Sequence, residues 1–268
     1  MSEKIKNLDE LEQLALSRPK QTVALAAANS EEALLAVEYA RQKGILDAHL
    51  VGDLDLMKPI CEKNGIDLGN YQVTDVKDPK EAAAAAVALI REGKAHLLMK
   101  GLVETSDFLR AVLSSATGIR GTDRMCALVV LECRAVDKLL ILGDVGVNIA
   151  PTLEEKASIL KSCFSVARAM GIEHPKAAVL CANEHIKDSM PCTVDAGKLA
   201  EMARSGEIDC MGGTVDGPIS MDIAVNEHAA RIKKYPGNIQ GDADILLVPD
   251  LEAGNILVKG LMYLSGDV

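Results

Sequence analysis

Five polar turns follow apolar runs in this sequence, and the first of them combines side chains able to hold phosphate. In "LLMKGLVETSDFLRAV" (Leu97–Val112), Lys100 closes the run, Thr105 and Ser106 open a helical pattern, and Arg110 falls about one turn further on. A helix N-terminus offers unpaired N–H groups and partial positive charge, a natural seat for phosphate. The planar fork of arginine adds bidentate contacts. The same residues allow a plainer arrangement, with Thr105 capping the helix and Arg110 paired to Glu104 or Asp107.

Asp144 and Asn148 occupy the second turn, "ILGDVGVNIAPTLEEK" (Ile141–Lys156), between a strand and a helix that begins beyond Pro151. Open α/β sheets bind ligands outside the carboxyl ends of their strands, although Asp and Asn in turns also serve local backbone bonds alone. "CANEHIKDSMP" brings Asn183, Glu184 and His185 to a third strand end, as substrate contacts, a dimer contact or a solvated loop. His185 as a general base has nothing further in the sequence to support it. In "GGTVDGPISMDIAV", Gly212-Gly213 would permit close approach of a ligand. There Asp216-Gly217-Pro218 turns the chain into a helix with Asp222 one turn inside. The fifth turn, "LLVPDLEAGNILVKG", ends a strand at Pro249-Asp250 and starts a helix around Ala253-Gly254-Asn255. No Walker or GxGxxG pattern is present, so these turns imply a shared cleft outside the standard nucleotide folds.

The elements that must position them alternate. Strands are expected at 22–27, 48–51, 71–74, 96–99, 126–131, 139–142, 177–181 and 245–248. Helices are expected at 30–43, 79–92, 105–114, 152–170 and 193–204. That rhythm gives an α/β fold with mostly parallel sheets. Asp78-Pro79 with Glu81, and Thr152 with Glu155, are helix-start signatures. Leu153, Ala157, Leu160, Phe164 and Ala167 form one apolar stripe. The alanine run between Glu81 and Leu89 reads as a helix packed tightly on a sheet. "GIRGTDR" (Gly118–Arg124) interrupts the pattern and marks a crossing between domains at 1–124 and 125–268.

Of the 268 residues, 49% are hydrophobic and 25% charged, as in soluble globular enzymes. No apolar run reaches the ~20 residues needed to span a bilayer. The N-terminal "MSEKIKNLDELEQLA" reads as an acidic amphipathic helix rather than a signal peptide, so a cytoplasmic protein is expected. Seven scattered cysteines without a CxxC pair, and five histidines without metal-ligand spacing, argue against a disulfide framework and a metal site. A net charge of −10 with six aromatic residues makes nucleic acid a poor partner. Small anionic substrates remain compatible where basic side chains cluster.

"VDGPISMDIA", "ADILLVPDLEAGNILVKGL", "LMKGLVETSDFLRAVL" and "LGDVGVNIAPTLEEK" together resemble the phosphate acetyl/butyryltransferase family, the last two its butyryltransferase branch. The likeness spans about Lys20 to Val268. It implies two α/β/α domains with an interdomain cleft, as in isocitrate and isopropylmalate dehydrogenases, and a homodimer. It also implies reversible acyl transfer between coenzyme A and inorganic phosphate, by direct attack of phosphate on the thioester. Acyl-CoA and phosphate are then substrates, and no tightly bound cofactor is expected. By this likeness Arg110 binds substrate, with Lys100, Thr105 and Ser106 helping to hold phosphate groups. Asp222 would orient phosphate or take its proton, and Asp144, Asn148, Asn183 and Asp216 would line the cleft. The family pattern continues with a strand and a Ser-Arg-containing loop, whereas the sequence ends at "GLMYLSGDV"; it is therefore expected to stop short of the family's C-terminus. Competing readings are an acyl-carrier-protein-dependent relative, a metal- and NAD-dependent dehydrogenase of the same fold, and an inactive acyl-CoA-binding relative.

Overall fold

The computed structural model describes residues 5–121 and 124–265, so Thr122 and Asp123 of the expected crossing lie outside the described residues. The chain divides into two compact units, Glu12–Thr122 and Met1–Leu11 with Asp123–Val268. The first residues thus group with the later part of the chain. Side-chain chemistry explains this: Ile5 is buried, the Leu8 N–H donates to Glu132 Oε2 at 2.8 Å, and Lys6 pairs with Asp137 at 3.3 Å. Helix α1 (Leu8–Leu16) falls where an amphipathic helix was expected.

Unit Glu12–Thr122 is built on four parallel strands, β1 (Gln21–Ala26), β2 (Leu46–Gly52), β3 (Gln72–Asp75) and β4 (Leu97–Lys100), in the order β3-β2-β1-β4. Four helices connect or follow them: α2 (Glu31–Gln42), α3 (Leu54–Asn64), α4 (Pro79–Arg91) and α5 (Thr105–Val112). Side chains alternate between the faces of a strand, and β1 shows the consequence. Val23 and Leu25 join Leu34, Val37, Leu50 and Met57 in one core, whereas Ala24 and Ala26 join Ala82, Ala83 and Ala86 in the other. The alanine run of α4 is therefore a buried face, packed small against small, and Asp78 caps it through the Lys80 and Glu81 N–H groups.

The other unit carries β5 (Leu128–Glu132), β6 (Leu139–Gly143), β7 (Lys176–Leu180), β8 (Thr214–Ile219) and β9 (Ile245–Leu247), ordered β5-β6-β9-β7-β8. Only the β5–β6 pair is antiparallel. Its helices are α6 (Leu153–Ala169), α7 (Pro191–Ser205), α8 (Met221–Val225), α9 (Glu227–Lys233) and α10 (Leu251–Gly260). Thr152 and Glu155 close the expected capping box on α6. Leu160, Phe164 and Ala167 are buried as the stripe predicts, joined by Ile159 and Cys163, while Leu153 and Ala157 are half-buried.

Two expectations change here. Residues 214–219 form a strand rather than a turn, so α8 starts at Met221 after Ser220 and Asp222 is its second residue, not one turn inside. Gly213 is small for packing, not for a ligand: a Cβ there would lie 2.3 Å from the Pro175 carbonyl and 2.7 Å from Phe164. All seven cysteines are free thiols. No helix among the described residues is long and apolar enough to cross a membrane.

Candidate active site

In the unit Glu12–Thr122 the turn after β4 is held by strand-like bonds, Gly101 N–H to Ala26 O and Leu102 N–H to Ala27 O, both 2.8 Å. A Cβ on Gly101 would sit 2.3 Å from the Ala27 carbonyl, so only glycine permits this approach. Lys100 folds back over the turn and donates to the carbonyls of Gly101 (3.3 Å) and Val103 (3.0 Å). Glu104, not Thr105, is the N-cap of α5, and no side chain caps it; Thr105 and Ser106 are its first two residues. Arg110 pairs with Asp107, as the plainer arrangement foresaw, but its side chain stays 71% exposed. Lys80 reaches the same carboxylate at 3.3 Å.

In the other unit, the turn after β6 is organised by a carboxylate. Asp144 is 3% exposed; its Oδ1 accepts the N–H groups of Ala127 (2.9 Å), Gly146 (3.0 Å) and Val147 (3.1 Å). Its Oδ2 accepts the Asn148 N–H at 3.0 Å and the Asn148 amide group. Asn148, 4% exposed, also donates to Met125 O at 3.0 Å and accepts from Arg124 Nε at 2.7 Å. Both residues are saturated and buried, which makes them supports of the turn rather than surfaces for a ligand. Asp216 is likewise 5% exposed and accepts the Ile239 N–H at 2.8 Å, fixing the loop after α9. Asn183 Oδ1 accepts the His185 N–H at 2.8 Å, a local turn bond.

The reactive-looking groups converge beyond the ends of β7 and β8. Glu184, Ser220, Asp222 and Lys233 form one cluster, with Lys233 Nζ 2.9 Å from Glu184 Oε1 and 3.0 Å from Asp222 Oδ2. The Ser220 hydroxyl lies between the two carboxylates, 2.6 Å from Asp222 Oδ1 and in a short contact with Glu184. Ser220 and then Lys233 hold both carboxyls below the usual range, and the two acids raise the Lys233 ammonium. Asp222 is thus a settled anion, suited to orienting a partner more than to taking a proton.

Glu184 and Lys233 border a cavity of about 610 Å³, with Asp216, Pro218, Ile223 and Tyr235 in its wall. Burial first, then Asp216 and Glu184, push the Tyr235 phenol up to about 12, so it remains a neutral donor. The cavity therefore offers an ammonium, a phenol and apolar surface together. Among the described residues, no group of three or more His, Cys, Asp or Glu side chains is placed to hold a metal ion. Sequence reasoning had singled out Asp222 and weighed Glu184 but overlooked Ser220 and Lys233. The one available signal was the basic pair Lys233-Lys234 following a short amphipathic run.

A family model described as phosphate acetyl/butaryl transferase matches residues 79–267. The chain belongs to that family. The match encloses all nine expected site residues, from Lys100 to Asp222. Among relatives in the phosphate acetyl/butaryl transferase family, the phosphate butyryltransferase of Clostridium acetobutylicum is 42% identical over 97% of this chain and 85% of its own length. The phosphate acetyltransferase of Thermotoga maritima is 36% identical over 96% and 86%. A branched-chain phosphotransacylase from Enterococcus faecalis superposes with a TM-score of 0.77 at 30% identity, covering 92% of this chain and 86% of that one.

Proposed function

We propose that the protein transfers a short acyl group, butyryl by preference, reversibly between coenzyme A and inorganic phosphate. A phosphate oxygen attacks the thioester carbonyl, the carbon–sulfur bond breaks, and coenzyme A leaves as the thiolate. The observation that carries this reading is the 42% identity to a phosphate butyryltransferase across 97% of the chain. Acetyl transfer is the second reading, favoured by the 36% identity to a phosphate acetyltransferase.

Phosphate brings its own charge and nucleophilicity, so the protein has mainly to align two reactants and stabilise the oxyanion. Alignment can contribute roughly 7–11 kcal/mol, and donors aimed at the developing charge several more. Lys233 and the Tyr235 phenol are the groups we assign to that task, with Asp222, Glu184 and the Ser220 hydroxyl holding Lys233 in place. Arg110 and the uncapped start of α5, with Thr105 and Ser106, would take phosphate groups of the substrates. Lys100, Asp144, Asn148 and Asp216 act in this reading as positioning residues, and Asn183 keeps its expected place at the cleft margin. The reading includes domains at about 1–124 and 125–268 around an interdomain cleft similar to that of isocitrate and isopropylmalate dehydrogenases. It further includes a homodimer, a cytoplasmic setting and no resident cofactor.

The test is thiol release from acetyl-, butyryl- and hexanoyl-CoA with and without inorganic phosphate. Phosphate-dependent release fastest from butyryl-CoA supports the proposal. Release fastest from acetyl-CoA moves the assignment to the second reading, and no phosphate-dependent release from any thioester overturns both.

A further inference from the structure

Arg124 is an exposed cation with buried foundations. Its side chain is 50% exposed, yet its Nε donates at 2.7 Å to Asn148, a residue 4% exposed and itself bonded to the buried Asp144 carboxylate. On the other side Nη1 lies 3.0 Å from Glu155 Oε1, and Glu155 is anchored by the Thr152 N–H at 2.9 Å. Nη2 donates no hydrogen bond among the described residues. The guanidinium plane is therefore fixed on two sides and open on the third.

A surface ion pair by itself contributes little to stability, and needs no buried support. Nor is the guanidinium required to tether its own segment. The Arg124 N–H already donates to Ser158 Oγ at 3.2 Å, Met125 O accepts from Asn148, and the Ala127 N–H donates to Asp144. What the Asp144–Asn148 relay adds is orientation. A held guanidinium presents parallel N–H donors that match a phosphoryl group, and it loses less freedom on binding than a mobile one. Two further features suit an anion there. The turn follows a strand at its carboxyl end, where open sheets bind ligands, and the 17-residue α6 begins beside Glu155 with its partial positive end.

We propose that Arg124 is a phosphoryl-oxyanion-binding residue, oriented by Asn148 and Asp144. The ligand is either inorganic phosphate or a phosphate of coenzyme A. The proposal rests on the acyl-transfer reading for its substrates. Its test is made by titration calorimetry with inorganic phosphate, coenzyme A and 3′-dephospho-coenzyme A on the wild-type chain and on Arg124→Gln, Arg124→Lys and Asn148→Ala.

Losing a charge-assisted bidentate contact should weaken binding about 10- to 100-fold in Arg124→Gln. Arg124→Lys, which keeps charge and loses the fork, should fall between it and wild type. Asn148→Ala should weaken the same ligand with the guanidinium still present. Weakening confined to inorganic phosphate identifies that ion as the partner. Weakening of coenzyme A but not of its 3′-dephospho form identifies the 3′-phosphate; weakening of both identifies the diphosphate. Affinities within twofold of wild type in the folded Arg124→Lys and Arg124→Gln chains overturn the proposal, as does a wild-type chain that binds none of the three. Absence of phosphate-dependent thiol release would instead count against the acyl-transfer reading, because the titrations judge Arg124 without turnover.

Discussion

Replacing Asp144 by Asn changes one atom in a side chain that accepts five hydrogen bonds. Three reach Oδ1 and two reach Oδ2. The cheaper orientation of the new amide places its NH₂ at the Oδ2 position, facing the two Asn148 donors. Hydrogen bonds to a charged acceptor contribute roughly 1.5–3 kcal/mol each, so two lost bonds cost about 3–6 kcal/mol. Removing a buried charge returns part of this through relieved desolvation. The expected net loss is about 2–4 kcal/mol, large against the whole stability of a domain. Denaturant unfolding followed by far-UV circular dichroism measures the loss. Hydrogen exchange on peptides covering 124–148 shows whether it is local. Exchange should quicken at Gly146, Val147 and Asn148 before it does in β6. A loss below about 1 kcal/mol, with those amides still protected, would refute the view that the carboxylate organises this turn.

Other outcomes follow from the same geometry. Gly101→Ala forces a Cβ to within 2.3 Å of the Ala27 carbonyl and should cost about 3 kcal/mol or more, read as a fall in Tm. Lys233→Met should reduce phosphate-dependent thiol release at least ~10-fold if Lys233 stabilises the oxyanion. It should also move the acid limb of the pH profile to higher pH: Ser220 and Lys233 keep Asp222 and Glu184 ionised, and losing one of these influences lets their carboxyls rise. An unmoved acid limb would remove those carboxylates from the profile. His49, buried on β2 with Nε2 2.7 Å from Thr74 Oγ1, has its imidazole lowered from 6.5 by burial. The unfolded chain therefore takes up the proton first, so this contribution is fully present above about pH 6.5 and is lost as pH falls towards the folded value. His49→Gln should flatten stability across that window in paired denaturant titrations at pH 7.5 and 5.5.

Much of this protein was legible from local signals. Short apolar runs located eight strands, because a strand buried on both faces must be apolar wherever it runs. The caps at Asp78 and Thr152 are satisfied within three residues of chain, so their sequence signatures suffice. Strand β8 escaped because "TVDGPI" carries Gly217 and Pro218, which read as a turn; its place at the sheet edge is what tolerates a proline. Helix α3 was hidden in a similar way by Pro59 in its interior.

The division of labour among polar residues was settled by tertiary structure alone. Asp144, Asp216 and Asp222 look alike in sequence, each an acid beside an apolar run. Packing buries the first two and satisfies them with backbone N–H groups, while Asp222 is left half exposed beside Lys233. No spacing rule joins Glu184 to a lysine 49 positions later; the fold does, by bringing the loop after β7 beside the α8–α9 segment that follows β8. Caps and alternation are short-range and therefore written in the chain. Which acid is buried under backbone donors and which is paired with a lysine at the surface depends on neighbours that only the folded sheet assembles.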